Sequence, residues 1–268
     1  MSAADHLVAV SNWDADRPEI AKLPRVGDYR SIDWEKLLQL RPAVMIVQFR
    51  ADKMPPGLTQ RAAELNIRLV NVRNNRLADL YETLDLLGDA LSERPKSDAA
   101  KSHVQKQLET IHQRVAAQPP VRTLLLRSPT DLASVGGGNF LDELLTLAGG
   151  QNVLEGGDNS YPTLDREKLL ALDPDVILYL LPGASSQVIE QANANLQSLP
   201  QLKAVRAQRV HVLTDSYLLL PGYNVPNIAT RFAELLHPPT TQPSASTLYP
   251  PPSTLYLLSR ASPTEASP

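Results

Sequence analysis

Over its first 237 residues the chain alternates between two hydrophobic rhythms: short continuous apolar runs, and stretches in which leucine recurs every three or four positions. The runs LVAVS (7–11), AVMIVQ (43–48), IRLVNV (67–72), VRTLLLR (121–127), DVILYLL (175–181) and RVHVLT (209–214) read as strands. Most are apolar throughout rather than alternating, the pattern of parallel strands covered by helices on both faces. Helical spacing falls between them, in DWEKLLQL (33–40), NFLDELLTLA (139–148) and DREKLLAL (165–172). The alternation predicts an α/β fold.

The same pattern repeats itself. SIDWEKLLQLRPAVMIV (31–47) and TLDREKLLALDPDVILY (163–179) align without a gap, with eight of 17 positions identical. Each copy opens on Ser/Thr-x-Asp, a helix cap, continues with leucines expected to face a sheet, and meets a proline just before a buried strand. Chance recurrence of a generic helix–strand unit is the bland alternative; eight ungapped identities favour duplication, and hence two related α/β lobes.

What joins them is helical. LADLYETLDLLGDAL (77–91) carries Leu77, Leu80, Leu84, Leu87 and Leu91 on one face, and 98–118 repeats Ala100, Val104, Leu108, Ile111 and Val115 at helical spacing. About 20 residues of helix span about 30 Å, a stiff strut between lobes; Pro119 and Pro120 end it. The expected organisation is an N-terminal α/β lobe over 1–95, a connecting helix over 96–120, a C-terminal α/β lobe over 121–237 and a tail over 238–268. The tail has 8 Pro and 11 Ser/Thr among 31 residues, too little apolar surface to offset its ordering entropy, so it reads as disordered. Its doublet STLY (246–249, 253–256) is either a docking element or low-complexity drift.

Composition narrows the function. With 26 Lys+Arg against 29 Asp+Glu and no long basic run, the chain does not read as a nucleic-acid binder. There is no cysteine, which excludes disulfide scaffolds, thiolate metal sites and thiol catalysis. The histidines, His6, His103, His112, His211 and His237, fall at no metal-ligand spacing, and no GxSxG elbow or Walker sequence occurs. Gly136, Gly138 and Leu141 form a dinucleotide fingerprint lacking its third glycine, and Glu35 and Glu167 read as first-turn acids favouring the helix dipole. No metal site, cofactor or catalytic set is expected.

Ligands of parallel α/β sheets bind beyond the carboxyl ends of strands and often between domains. The residues there are Ser11, Asn12 and Trp13; Gln48, Phe49 and Arg50; Ser128 to Gly138; Ser160 and Tyr161; Pro182 and Gly183; and Asp215, Ser216 and Tyr217. Aromatics, an arginine, small turn residues and a carboxylate suit a bulky, partly polar ligand. Each has a structural alternative. Trp13 and Phe49 either stack on a ligand or cover a sheet edge, and Arg50 is either a contact or a solvated charge. Tyr217 either stacks or packs beside YLLLPG. Asp215 either contacts ligand, caps a helix near Val225 or closes a turn. The glycines at 136–138 either expose amides to an anion or make a tight turn.

These blocks, in this order, resemble a known family. The S-N-aromatic loop, LPRVGDY, DWEKLLQLRPAVMIV and LNIRLVNV, then SVGGGNFLDELLTLAGGQNVLEG, SYPTLDREKLLALDPDVILYL and AQRVHVLTDSYLLLPGYNVPNIATRFAELLHP, are similar to the helical-backbone periplasmic binding proteins. Those serve ABC importers of iron–siderophore complexes, haem and cobalamin, and the resemblance covers 7–237. It implies a non-enzymatic, monomeric receptor of two lobes joined by a long helix. Such a receptor holds a metal chelate or corrinoid in the cleft and reaches the membrane only through its permease. In cobalamin binders an aromatic of the first-lobe loop and an Asp near the last strand touch the ligand; Trp13 and Asp215 stand there. The candidate ligand set is Trp13, Gln48, Phe49, Arg50, Ser128, Tyr161, Asp215 and Tyr217; Asp52 and Glu190 are candidates for docking on the permease.

One departure bears on the start. The second lobe has a strand and helix (121–148) before the segment leading into its repeat, whereas the first has only LVAVS. By this symmetry a unit of roughly 20–30 residues is expected ahead of Met1, preceded by an export signal in the resembled family. The expectation is therefore a native start further upstream, or a decayed gene. The run LVAV is itself shorter than the roughly 7–15 apolar residues of an export signal. The resemblance implies a periplasmic protein, and a native start at Met1 a cytoplasmic one. The rival reading is a two-lobed cytoplasmic metallochaperone or enzyme on the same plan, which would need the cysteine or clustered histidine this chain lacks. A zinc or manganese importer protein would need about three histidines converging on the cleft.

Overall fold

A computed structural model describes residues 4–14, 19–154, 156 and 159–238; the expectations for the tail beyond Pro238 lie outside these residues. Helix α1 (Trp34–Leu40), strand β1 (Val44–Val47), helix α2 (Leu58–Glu64) and strand β2 (Arg68–Asn71) come first. A helical hairpin follows, α3 (Leu77–Ala90) and α4 (Arg94–Val115). The rest of the chain forms β3 (Val121–Leu126), β4 (Leu132–Ala133), α5 (Phe140–Leu147), β5 (Gly150–Asn152), β6 (Thr163–Leu164), α6 (Arg166–Leu172), β7 (Val176–Leu180), α7 (Ser186–Gln197), α8 (Lys203–Arg206), β8 (Val210–Leu213) and α9 (Val225–Leu236). The strands form a parallel pair β1–β2, a parallel four-stranded sheet in the order β5-β3-β7-β8, and a short antiparallel ribbon β4–β6. The fold is α/β with mainly parallel sheets, as the hydrophobic rhythm predicts.

The repeat is visible in atomic detail. Asp33 and Asp165 cap α1 and α6 alike, each accepting from the backbone N–H of the lysine three residues on. Both helices end on a left-handed residue, Arg41 (φ 47°) and Asp173 (φ 38°), whose N–H donates to the carbonyl of Leu37 or Leu169. That turn lets proline follow and lead directly into β1 or β7.

The four-stranded sheet is a middle layer. One face, Leu124, Leu126, Ile177, Tyr179 and Leu181, packs against Leu169, Ala192, Leu196, Leu199 and Leu202 from α6, α7 and the turn after it. The other face, Leu125, Val176, Leu178, Leu180 and Leu213, packs against α4, α5 and α9. The predicted stripe of the connecting helix, Ala100, Val104, Leu108, Ile111 and Val115, is buried as expected. Four of those residues lie in the second sheet's core together with Leu77 and Leu80 of α3, so the hairpin is a layer of that core rather than a free-standing strut. The helix runs from Arg94 to Val115, against the expected 96–120, and so stops ahead of the two prolines.

Two expectations fail in the first lobe. Leu7–Ser11 is not a strand: Val10 makes a single parallel bridge to Arg25, and Leu7 and Val8 are exposed. A strand needs a neighbour with which to exchange backbone hydrogen bonds, and here Val10 N–H donates to the Pro24 carbonyl while the residues before it meet no strand among those described. Leu38, expected to face a sheet, is 58% exposed. The main buried cluster of this lobe is Leu37, Ala62 and Ile67 with half-buried Val26, Ile32, Trp34, Met45, Leu65 and Leu69 around them; Val10, Ile20, Leu58 and Val70 are buried outside it.

Candidate functional site

Gln48, Phe49 and Arg50 follow β1 at the carboxyl edge of the first parallel pair, Ser128 follows β3 and Asp215 and Tyr217 follow β8 at that of the four-stranded sheet, and Trp13 stands in a separate first-lobe loop that follows no strand. In the first lobe the chain leaves β1 through Gln48, Phe49 and Arg50. The Phe49 backbone is clamped to β2 by Asn71, whose side-chain oxygen accepts from Phe49 N–H (2.9 Å) and whose amide donates to the Phe49 carbonyl (3.0 Å). The Gln48 amide donates to Asn74 Oδ1 at 2.6 Å. Arg50 pairs with Asp52 (3.1 Å), so the first docking candidate already carries a cation.

Trp13 sits in a loop whose local hydrogen bonds fix it, Ser11 Oγ donating to Asp14 and accepting from Trp13 N–H. The indole is 71% exposed, so it does not cover a sheet edge. It stacks on Tyr29 (centroids 6.4 Å, planes 17° apart), and the guanidinium of Arg30 lies 5.3 Å from the Tyr29 ring. Tyr29, which the strand-end criterion passes over, is held by a tight turn. Asp28 accepts from the N–H groups of Arg30 and Ser31 and from Asn12, contacts that hold its carboxyl below the usual range, the Arg30 N–H foremost. A concavity of about 430 Å³ lined by Asn12, Arg25, Gly27, Ser31, Asp33 and Lys36 adjoins this loop.

In the second lobe β3 ends at Leu126, and the next residue, Arg127, lays its guanidinium 4.6 Å from the Tyr161 ring centroid. Such stacking contributes about 0.5–2 kcal/mol, and sequence reasoning names Tyr161 but not its partner. The two are 34 positions apart, and the chain joins them by pairing β4 with β6 and by the Ser134 N–H to Pro162 carbonyl bond (2.7 Å). Burial raises the Tyr161 phenol, with Arg127 opposing. Ser128 closes its own turn, accepting from the N–H groups of Thr130 and Asp131. Beyond β8, Asp215 caps no helix; α9 begins after Asn224. Its carbonyl closes a turn with Leu218 N–H, and its carboxylate charge, after burial, raises the phenol of nearby Tyr217. Tyr217 is half-buried against the second core.

The three glycines resolve toward the tight turn. Asn139 caps α5 by accepting from Leu141 and Asp142 N–H, and Gly138 N–H donates to Asp142, so these amides have partners. A side chain at Gly136 would collide with the Asn159 carbonyl, which requires glycine there. A concavity of about 650 Å³ lies at the opposite ends of the strands, lined by Val121, Asp175, Lys203 and Arg209 among others, away from every candidate residue. No group of three or more His, Asp or Glu residues converges as a metal site among the described residues. No helix there is long and apolar enough to cross a membrane.

The model of the periplasmic binding protein family matches residues 2–217. The vitamin B12-binding protein of Yersinia pseudotuberculosis is 30% identical over 199 residues, 74% of this chain and 68% of the relative. That of Vibrio cholerae is 23% identical over 217 residues, 81% of this chain and 76% of the relative. Among solved structures, the Vibrio cholerae periplasmic vitamin B12-binding protein superposes with a TM-score of 0.69 at 22% identity, over 87% of this chain and 88% of that one. A periplasmic haem-binding protein from Pseudomonas aeruginosa gives 0.68 at 26% identity, over 89% and 87%. These relatives are binding proteins, not enzymes.

Proposed function

The chain belongs to the periplasmic binding protein family, and from that premise we propose that it is the substrate-binding component of an ABC importer, holding a cobalamin- or haem-sized ligand between its two lobes. The observation that carries this reading is a pair of aromatic–cation groupings, one per lobe: Arg127 on Tyr161 at the carboxyl end of β3, and Arg30 on Tyr29 beside exposed Trp13 in a loop of the first lobe. Trp13 with Tyr29 and Arg30 forms one wall; Tyr161 with Arg127, and Asp215 with Tyr217, form the other. Aromatic faces hold a flat, largely apolar macrocycle, and the charged groups fix its polar periphery. Gln48, Phe49, Arg50 and Ser128 complete the contact set. The family is periplasmic, and a cytoplasmic placement finds no support among these relatives.

Delivery uses one acidic side chain per lobe in this proposal. Asp52 and Glu190 are both exposed. The repeat offers a second pair, Glu35 and Glu167: equivalent positions in the first turns of α1 and α6, exposed, and in no ion pair among the described residues.

Tryptophan fluorescence tests the ligand. The chain has two tryptophans, exposed Trp13 and half-buried Trp34, the latter covered by Arg61 at 4.7 Å. Titration with cyanocobalamin, haemin or a ferric siderophore is expected to quench Trp13. Trp13→Ala is expected to remove the signal, and dialysis should show affinity weakened about tenfold or more, as for a central aromatic contact; Asp215→Ala should weaken it similarly. A folded protein that binds none of the three ligands overturns the reading.

A further inference from the structure

Between β2 and α3 lies a five-residue segment, 72–76, that is fastened on both sides. Toward the first lobe, Val72 N–H donates to the Val47 carbonyl (2.8 Å) and Asn74 receives the Gln48 amide (2.6 Å). Toward the second, Phe140 N–H at the start of α5 donates to the Asn75 carbonyl (2.7 Å). Glu143, one turn further along α5, closes the arrangement. Its Oε1 accepts from Arg76 Nε at 2.7 Å and lies 2.7 Å from Arg76 Nη2, and its Oε2 accepts from Leu77 N–H, also at 2.7 Å. Asp79 holds the same turn from within α3, accepting from Asn75 and Arg76 N–H at 2.9 Å. Among the described residues, helices α3 to α9 contribute to the cores on the two faces of the four-stranded sheet, whereas β1, β2, α1 and α2 do not.

We propose that residues 72–76 are the junction at which the two lobes meet, and that Glu143 is a positioning residue that sets the first-lobe contacts Gln48 and Phe49 relative to the second sheet. The route is short and continuous: Glu143 to Arg76 and Leu77, through the segment to Asn74 and Asn71, and from these to Gln48 and Phe49. The junction therefore precedes the helical hairpin, with one exposed tie at the hairpin's far turn, His6 Nε2 to Glu93 Oε1 at 3.3 Å. One carboxylate that accepts from the Arg76 guanidinium on one oxygen and from a backbone N–H on the other is held in a way a single ion pair is not. The part of the inference that concerns ligand rests on the function proposed above; the part that concerns the junction does not.

The test is double electron–electron resonance between spin labels at exposed Gln39 of α1 and Gln187 of α7, on the full chain without ligand. A narrow distance distribution is expected for the parent protein. Glu143→Ala is expected to broaden it about twofold, and Glu143→Gln, which keeps one acceptor, to broaden it less. Arg76→Ala leaves the Leu77 bond in place and should give the smallest change. It also serves as the readout if Glu143→Ala does not fold. The double variant Arg76→Ala/Glu143→Gln should be no broader than Glu143→Ala. In parallel, dissociation of whichever of cyanocobalamin or haemin the parent binds should accelerate about tenfold in Glu143→Ala, within the range of ordinary coupling between sites. Unchanged distances in folded Glu143→Ala and Arg76→Ala, even with a lowered melting temperature, overturn the proposal and leave Glu143 a merely structural residue. A parent protein that binds neither ligand overturns the function proposed above, while the distances still decide the junction.

Discussion

The unit α1–β1 and the unit α6–β7 share eight of 17 residues, the same caps and the same left-handed exit, yet they end in opposite surroundings. Strand β7 has β3 on one side and β8 on the other, and all five of its residues are buried. Strand β1 pairs only with β2 among the described residues, and none of its four residues is buried. Leu178 is fully buried while its counterpart Ile46 is 44% exposed; Leu170 packs against a core while Leu38 is 58% exposed. Local geometry follows from local sequence, because a cap and a turn need only residues within one helical turn. Burial follows from what else arrives, and the two lobes differ in that.

The sharpest way to break this comparison is to put the same charge at equivalent positions. Leu178→Lys places an unpaired ammonium in a dry core and is expected to cost about 4 kcal/mol or more, enough to unfold the chain or nearly so. Ile46→Lys, with nearly half its surface already in water, is expected to stay within about 1 kcal/mol. Denaturation in urea, followed by far-UV circular dichroism, measures both. Equal losses would mean that the Ile46 face is covered in solution and that the difference between the units is not real.

A smaller effect separates the helices. Leu169 and Leu37 are the same repeat position, both buried, but Leu169 belongs to a core fed by three helices and a sheet face, and Leu37 to one built around Ala62 and Ile67. A cavity under a thin shell collapses more readily, so Leu169→Ala is expected to cost about 3–4 kcal/mol and Leu37→Ala about 2 kcal/mol or less. The urea midpoints of the two variants give the comparison directly. A larger loss for Leu37 would place the stability of the protein in its smaller lobe.

What the sequence made legible divides along the same line. The strands at 43–48, 67–72, 121–127, 175–181 and 209–214, the helix at 77–91 and the buried stripe of α4 are all present, because each carries its own periodicity. Leu7–Ser11 has the composition of a strand but, among the described residues, only the single bridge from Val10 to Arg25, and the apolar run by itself does not show how many neighbours it will meet. In the candidate site, the residues following strands were legible, since parallel strands end at one edge. Tyr29 and Arg127 were not: each matters through a ring contact, Tyr29 with Trp13 and Arg127 with Tyr161, that exists only after the chain has turned back on itself. Glu143 is a still clearer case, an ordinary first-turn acid in the sequence whose partners lie 66 and 67 positions earlier.

The smallest expected effect concerns a residue on which the two sheets again differ, because β8 has no counterpart strand in the first lobe among the described residues. His211 lies within β8, and burial, followed by the cation of Arg209, pushes its imidazole below the ordinary 6.5. Arg209 is itself fixed there, donating to the carbonyls of Leu235 (3.3 Å) and Leu236 (2.9 Å) at the end of α9. In the unfolded chain the histidine keeps its ordinary value, so as pH falls through 6.5 the unfolded state takes up the proton first and gains on the folded one. The stabilising contribution is complete above about 6.5 and is lost between that value and the lower folded one. Carboxylates such as Asp173, held low chiefly by the Lys203 N–H, lose theirs only in a separate window beginning near 3.8. The urea midpoint is therefore expected to fall between pH 7.5 and pH 5.5 in the parent protein, and His211→Asn is expected to flatten that decline while leaving the more acidic loss in place. A decline that survives the substitution in full would assign the mid-range proton to another group.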